Sequence, residues 1–99
     1  AQVVSGRKDD AGKRPWHLLP WESAGLIVDV MAFGVTEYGR DTWWSVDQER
    51  WFGATIRHLT AWRSGERLDP ESGLPHLAHA ACSVLFMLAI DEDSHLEPF

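Results

Sequence analysis

The stretch Gly65–Ile90, "GERLDPESGLPHLAHAACSVLFMLAI", begins as an acid- and glycine-rich turn, passes two histidines three residues apart and becomes wholly apolar. Its second half is too long for an ordinary strand and never alternates with period two, so it reads as a helix. Ser72 is placed to cap that helix and Pro75 to sit in its first turn, with an end near Ile90. Leu77, Ala80, Ala81, Val84, Leu85, Phe86 and Leu88 surround it with apolar groups. A helix without a polar face belongs in a protein interior, and this one is expected to be the most buried element.

Working outward, two more helices precede it. Pro20 suits a first helical position, and Leu26, Ile27, Val30, Met31, Phe33 and Tyr38 form an apolar stripe until Gly39 offers a left-handed stop, which predicts a helix over about 20–38. After the link "GRDTWW", Ser45 and Gln48 have the form of a capping box. Trp51, Phe52, Thr55, Ile56, Leu59 and Trp62 recur at helical spacing up to Gly65, predicting a second helix over about 46–64. Residues 1–19 mix glycine, charge and proline without a period and read as a polar arm, and the acidic tail 91–99 is expected to fray. The expected fold is all-α: a single domain over 1–99 with its helical core at 20–90.

A chain of 99 residues buries a smaller share of its surface than a large one. Three helices also leave one flank of the central helix uncovered, so a second copy completing a helical bundle is expected. Six tryptophans, each with a large apolar body and an N–H to satisfy, suit half-buried seams, pocket walls and subunit interfaces. The net charge of -6 argues against a footprint for duplex nucleic acid, while a small anion needs only a local cluster of donors. Cys82 is the single cysteine, lies in an apolar run and reads as a core thiol of a reducing compartment. No apolar run is long enough to span a bilayer and no signal-peptide stretch is present, so the expected location is cytoplasmic.

His76, His79 and Ser83 share one face of the third helix, toward the turn that carries Asp69 and Glu71, and the second helix adds Arg57 and His58. Imidazoles and carboxylates at such spacings can bind Zn, Mn or Ni, or supply general acid–base pairs. They can equally be helix-entry residues that hydrogen-bond locally and meet the helix dipole. In "KDDAGKRPW", Lys8, Lys13 and Arg14 flank Gly12 and can reach phosphate oxygens, although the spacing of a Walker loop is absent. Trp16, with Trp43 or Trp44, can stack on a base or simply pack.

The segments "DAGKRPWHLLPWES", "FGVTEYG", "TWW" and "RHLTAWRSGERLDPESGLPHLAHA" together resemble the phage dATP/dGTP diphosphohydrolase N-terminal domain family, over about residues 9–90. That family is similar to the all-α nucleotide pyrophosphohydrolases of the MazG type. The resemblance implies an oligomeric bundle that hydrolyses nucleoside triphosphates to monophosphates with Mg or Mn. The residues themselves, a basic glycine-containing arm, surplus tryptophan and a polar face on an apolar helix, point to a purine nucleotide or related phosphorylated ligand, with Lys8, Lys13, Arg14, Trp16, Arg57, His58, His76 and His79 as ligand-binding residues. If the site is catalytic, Glu71 and His79 are the expected catalytic residues and Asp69, Glu71 and His76 the expected metal ligands.

The chain departs from the MazG pattern where that pattern carries carboxylates, since Arg57, His58, His76 and His79 stand at the corresponding inner positions. Hard Mg ions prefer carboxylate oxygen, so the substitution favours an anion over a metal. Three readings follow: a pyrophosphohydrolase acting in the cytoplasm of a bacterial host cell, a sponge that sequesters a cyclic or signalling nucleotide of host defence, or a structural domain whose Trp and His residues are interface packing.

Overall fold

The computed structural model describes residues 11–94. Three helices, α1 (Trp21–Tyr38), α2 (Gln48–Arg63) and α3 (His76–Ser94), carry the fold, with short 3-10 turns at Trp16–Leu18 and Thr42–Ser45. No strand forms among the described residues, and one isolated bridge pairs Leu68 with Pro75. The all-α expectation holds.

Local chemistry explains the boundaries. Pro20 stands just before α1 rather than inside it, and its carbonyl accepts from Ala24 N–H at 2.9 Å. Gly39 ends α1 with φ 95° and ψ 160°, a region beyond the left-handed helix that only glycine enters cheaply. The cap of α2 is Asp47, whose carboxylate accepts from Glu49 N–H at 3.2 Å. Ser45 instead closes the preceding 3-10 turn by donating to the Thr42 carbonyl at 2.7 Å, so the expected capping box is not made. Gly65, at φ 110°, terminates α2 as expected, and Glu66 N–H reaches back to the Ala61 carbonyl at 3.0 Å in a Schellman-type closure.

α3 lies between the other two helices, and α1 and α2 both pack on it. It holds five of the buried residues, His76, Ala78, Ala80, Cys82 and Ser83, against only Val30 in α1 and Thr55 in α2. Val30, Ala78 and Cys82 form the core, with Ile27, Met31, Leu74 and Phe86 around it. Burial pushes the Cys82 thiol up to about 11, so it is an inert core group. α2 is pinned to α3 by Gln48, whose amide donates to the Met87 carbonyl at 2.9 Å. Past Ile90, α3 continues one turn to Ser94, through three acidic residues expected to lie in the fraying tail.

The apolar circumference of α3 is not fully covered: Leu77, Val84, Leu85 and Leu88 are exposed, and Phe52, Ile56, Leu59 and Trp62 form a second exposed stripe along α2. The described helices therefore bury small residues tightly and leave large ones at the surface.

The tryptophans are used mainly against each other. Trp43 is stacked between Trp44, at 4.0 Å, and Phe86, at 4.4 Å, and Trp51 tilts against Phe86 at 5.0 Å. Trp51 also donates its indole N–H to the Trp43 carbonyl at 3.3 Å. Trp43 therefore packs on both Trp44 and Phe86 while also lining the cleft described below.

Candidate functional site

The turn between α2 and α3 assembles the polar site. His76 N–H donates to the Arg67 carbonyl at 2.9 Å and Asp69 N–H to the Leu74 carbonyl at 2.8 Å, which folds the segment back on itself. Gly73 sits at φ 75°, where a side chain would be strained, and its N–H closes the turn on the Asp69 carbonyl at 2.7 Å. The result places Glu66 beside His76 and Asp69 beside His79.

Two hydrogen-bonded chains follow. In the first, the Glu66 carboxylate meets His76 Nε2 at 2.7 Å, and His76 Nδ1 meets His58 Nδ1 at 2.8 Å. An ionised carboxylate only accepts, so His76 donates from Nε2; a neutral His76 then accepts at Nδ1, and His58 must donate from its own Nδ1. His58 Nε2 is left unprotonated, with no hydrogen-bond partner among the described residues. No buried side-chain nitrogen or oxygen lacks a partner, so this atom is open to solvent.

In the second chain, Asp69 Oδ2 accepts from Ser72 Oγ at 3.1 Å and from Ser72 N–H at 3.3 Å, and His79 Nε2 lies 2.6 Å from Ser72 Oγ. Two oxygens 3.1 Å apart without a proton between them repel, so the Ser72 proton goes to Asp69 and His79 donates from Nε2 to Ser72. Leu74 N–H supplies the remaining bond to Ser72 Oγ at 3.1 Å. Ser72 is thus the hub of the turn rather than the cap of α3, which begins at His76.

The two chains meet ring on ring. His58 and His79 stack at 4.5 Å and 12°, and Phe33 of α1 closes the far side edge-on to His79 at 6.3 Å. Burial first, and then the charge each histidine would present to the others, holds His58 below its ordinary value. His79 is also lowered by burial, against an opposing pull from Asp69. Burial would raise Asp69, but its bonds from Ser72 and the neighbouring His79 outweigh this and keep it low.

The stacked pair opens into a cleft of about 920 Å³ that has α3 as its floor and α1 and α2 as its walls. α3 contributes His79, Cys82, Ser83 and Phe86, and α2 contributes Arg50, Ala54, Arg57 and His58, each set a single helical face. Arg40 and Asp41 join at one end, where they pair at 3.4 Å, and Asp69 and Glu71 at the other. Among the described residues Arg50 and Arg57 make no ion pair, and Arg57 lies back along its helix over Gly53.

Of the residues expected from sequence, Arg57, His58, Asp69, Glu71 and His79 line this cleft together. His76 is buried behind it with both ring nitrogens engaged, so it touches a ligand only through His58. Arg14 and Trp16 line a separate shallow recess of about 320 Å³ with Pro15, Leu18 and Leu19, and Trp16 packs against Trp21 at 6.4 Å. Lys13 is exposed on the arm, and Lys8 lies outside the described residues. Sequence reasoning missed Glu66, Ser72 as a hub, Arg40 and Arg50. Only Arg50 had a signal, standing seven residues before Arg57 on the same face of α2.

Among the described residues no three His, Cys, Asp or Glu side chains converge as metal ligands. Of the expected set, Asp69 and Glu71 line the cleft while His76 is buried behind it. Asp69 is held by Ser72 and His76 by Glu66 and His58, whereas Glu71, exposed at the cleft, acts on His79 only through its charge among the described residues.

Comparison with known proteins agrees with the family resemblance. The family described as dATP/dGTP diphosphohydrolase, N-terminal, matches residues 4–97. A dATP/dGTP diphosphohydrolase of Salmonella phage PMBT28 is 34% identical over 84 residues, covering 85% of this chain and 29% of that protein, so the chain spans under a third of its relative's length. No solved structure matches. Among the described residues no helix is long and apolar enough to cross a membrane.

Proposed function

We propose, for a chain that belongs to the dATP/dGTP diphosphohydrolase N-terminal family, that the cleft between α1 and α2 holds a purine nucleoside triphosphate and is where it is cut to monophosphate and pyrophosphate. The observation that carries this reading is the pair Arg50 and Arg57, without an ion-pair partner among the described residues, on the wall beside His58 and His79. In a chain of net charge -6, two arginines lining one cleft favour an anionic ligand, and their planar guanidinium forks suit phosphate oxygens. Val30, Phe33 and Met31 supply an apolar wall for a base.

A divalent cation, Mg or Mn, belongs to this reading as a companion of the triphosphate, with Glu71 giving it one oxygen and the phosphates most of the rest. The name of the phage relative supports the choice of dATP and dGTP, and this reading has the protein act on the nucleotide pool of an infected cell's cytoplasm. A second copy of the chain, covering the exposed stripes of α2 and α3, would complete the bundle.

The test is calorimetry with dATP, dGTP, dCTP and dTTP in the presence of Mg or Mn, followed by heat denaturation and chromatography of what is released. Heat with the purines and recovery of monophosphate and pyrophosphate is the expected result. Intact nucleotide would identify a sequestering protein instead, and silence across the panel would end the nucleotide reading.

A further inference from the structure

We propose that His58 is the general base of this cleft, its Nε2 aimed at the substrate water and its tautomer set by Glu66 acting through His76. The inference rests on the nucleotide-cleaving reading above and names the group that does the chemistry. Its basis is a chain of two short contacts, Glu66 to His76 Nε2 at 2.7 Å and His76 Nδ1 to His58 Nδ1 at 2.8 Å, which with an ionised Glu66 and a neutral His76 runs from His58 Nδ1–H through His76 to the carboxylate. An isolated carboxylate–histidine contact would leave its imidazole buried and idle. Here the second imidazole carries the lone pair out to the cleft wall.

His58 is the better base of the stacked pair. When its Nε2 takes a proton, the positive charge can be shared along the hydrogen bond with His76, and the Glu66 carboxylate stands at the far end to balance it. The carboxylate side chain is 53% exposed while His76 is 5% exposed, so the relay runs from solvent through the protein interior to the cleft. His79 is instead locked to Ser72, whose proton and lone pairs are all committed to Asp69, Leu74 and His79. It serves as the flat surface that holds the His58 ring in its plane.

The step balances without any further reactant. A water oxygen forms a bond to the α-phosphorus as its proton passes to His58 Nε2. The bond from that phosphorus to the bridging oxygen breaks, and its electron pair leaves with pyrophosphate. His58 then returns the proton to solvent. Arg50 and Arg57 face the charge that grows on the phosphate oxygens.

Glu66 and His76 are positioning residues, since neither reaches the cleft. The charged and titratable groups that face His58 are Arg57 from its own helix, His76 and His79 from α3, and Asp69 from the loop. Replacing Glu66 by Gln removes the charge that balances the imidazolium while keeping a polar partner for His76. His58 becomes a weaker base, and the acid limb of the rate profile moves to lower pH.

Three measurements on the intact chain test the proposal. Long-range imidazole ¹H–¹⁵N spectra, recorded above the histidine titration range, should show His58 as the Nδ1–H form and His76 as the Nε2–H form; His58 as Nε2–H overturns it. Hydrolysis of dGTP should fall by about 100-fold or more in His58→Asn, with calorimetric affinity for dGTP retained, and equal hydrolysis overturns it. In Glu66→Gln, a surface change that leaves the fold intact, the acid limb should shift to lower pH, and an unmoved limb overturns the relay. A parent that binds dGTP without cleaving it removes the base and leaves the nucleotide reading standing. One that neither binds nor cleaves removes both.

Discussion

The rings of His58 and His79, brought from α2 and α3, lie 4.5 Å apart and 12° from parallel. Two imidazoles so close cannot both become cationic without strong repulsion, and the surrounding protein withholds water from them. Both are accordingly held below the ordinary histidine value of 6.5. A group whose folded value is depressed binds fewer protons folded than unfolded, so stability falls as pH drops below the unfolded value. Asp69, also depressed, adds a second loss further down, as pH falls below its ordinary 3.8 toward its folded value. Thermal melts across pH should therefore show a decline beginning below 6.5 and a separate one below 3.8. A melting temperature that rises on acidification through the histidine range would contradict the stacked arrangement.

The turn that builds the site depends on Gly73, whose φ of 75° a side chain resists. Gly73→Ala should cost about 1–2 kcal/mol in denaturant unfolding, the usual penalty for a left-handed alanine. Gly25, inside α1 with open space where a Cβ would stand, is the control. Gly25→Ala should stabilise by about 0.5–1 kcal/mol through helix propensity alone. Equal effects at the two positions would mean that the turn is not held as described.

The helices were legible in the sequence because each carries its own period and its own stop: the stripe from Leu26 to Tyr38 ends at Gly39, and the one from Trp51 to Trp62 ends at Gly65. The boundaries were less so. Asp47 and Ser45 are both good caps two residues apart, and only the 3-10 turn at Thr42–Ser45 decides between them. Asp91, Glu92 and Asp93 belong to the acidic tail expected to fray, yet α3 runs on through them to Ser94 although acidic groups oppose the dipole at a helix C-terminus. At the site, His58 and His79 could be placed by helical spacing. Their stacking, and the approach of Glu66 to His76, arise from packing between helices and from the backbone pairing of Arg67 with His76, which no local pattern encodes.

Exposure of Phe52 at 55% and Leu88 at 53% bears on assembly. Large apolar side chains at helical spacing on two elements are what a partner helix would cover, at about 1.5–3 kcal/mol for each side chain fully buried. Light scattering of the parent should give a mass above the 11.2 kDa of one chain, and Phe52→Glu or Leu88→Glu should return it to one chain with helical content kept. A parent already monomeric at micromolar concentration would remove the second copy from the account.

Arg50 and Arg57 stand two turns apart on the α2 face that walls the cleft, and neither has an acidic partner among the described residues. Free guanidinium groups keep their full capacity for a ligand, whereas Arg40 shares its charge with Asp41 at 3.4 Å. If phosphate is what they hold, Arg57→Ala should weaken binding of dGTP by about 1.5–3 kcal/mol, the range for a hydrogen bond to a charged group. Arg50→Ala should act in the same direction, while Arg40→Ala should have the smallest effect of the three. The fold should survive each change, because none of these side chains is buried, and at Arg50 and Arg57 α2 gains a better helix former. Calorimetry at two salt concentrations adds a second readout: the loss should shrink as salt rises, since the lost term is partly Coulombic and added ions screen it. A folded Arg57→Ala that binds dGTP as tightly as the parent would mean that the arginine wall of the cleft does not meet phosphate.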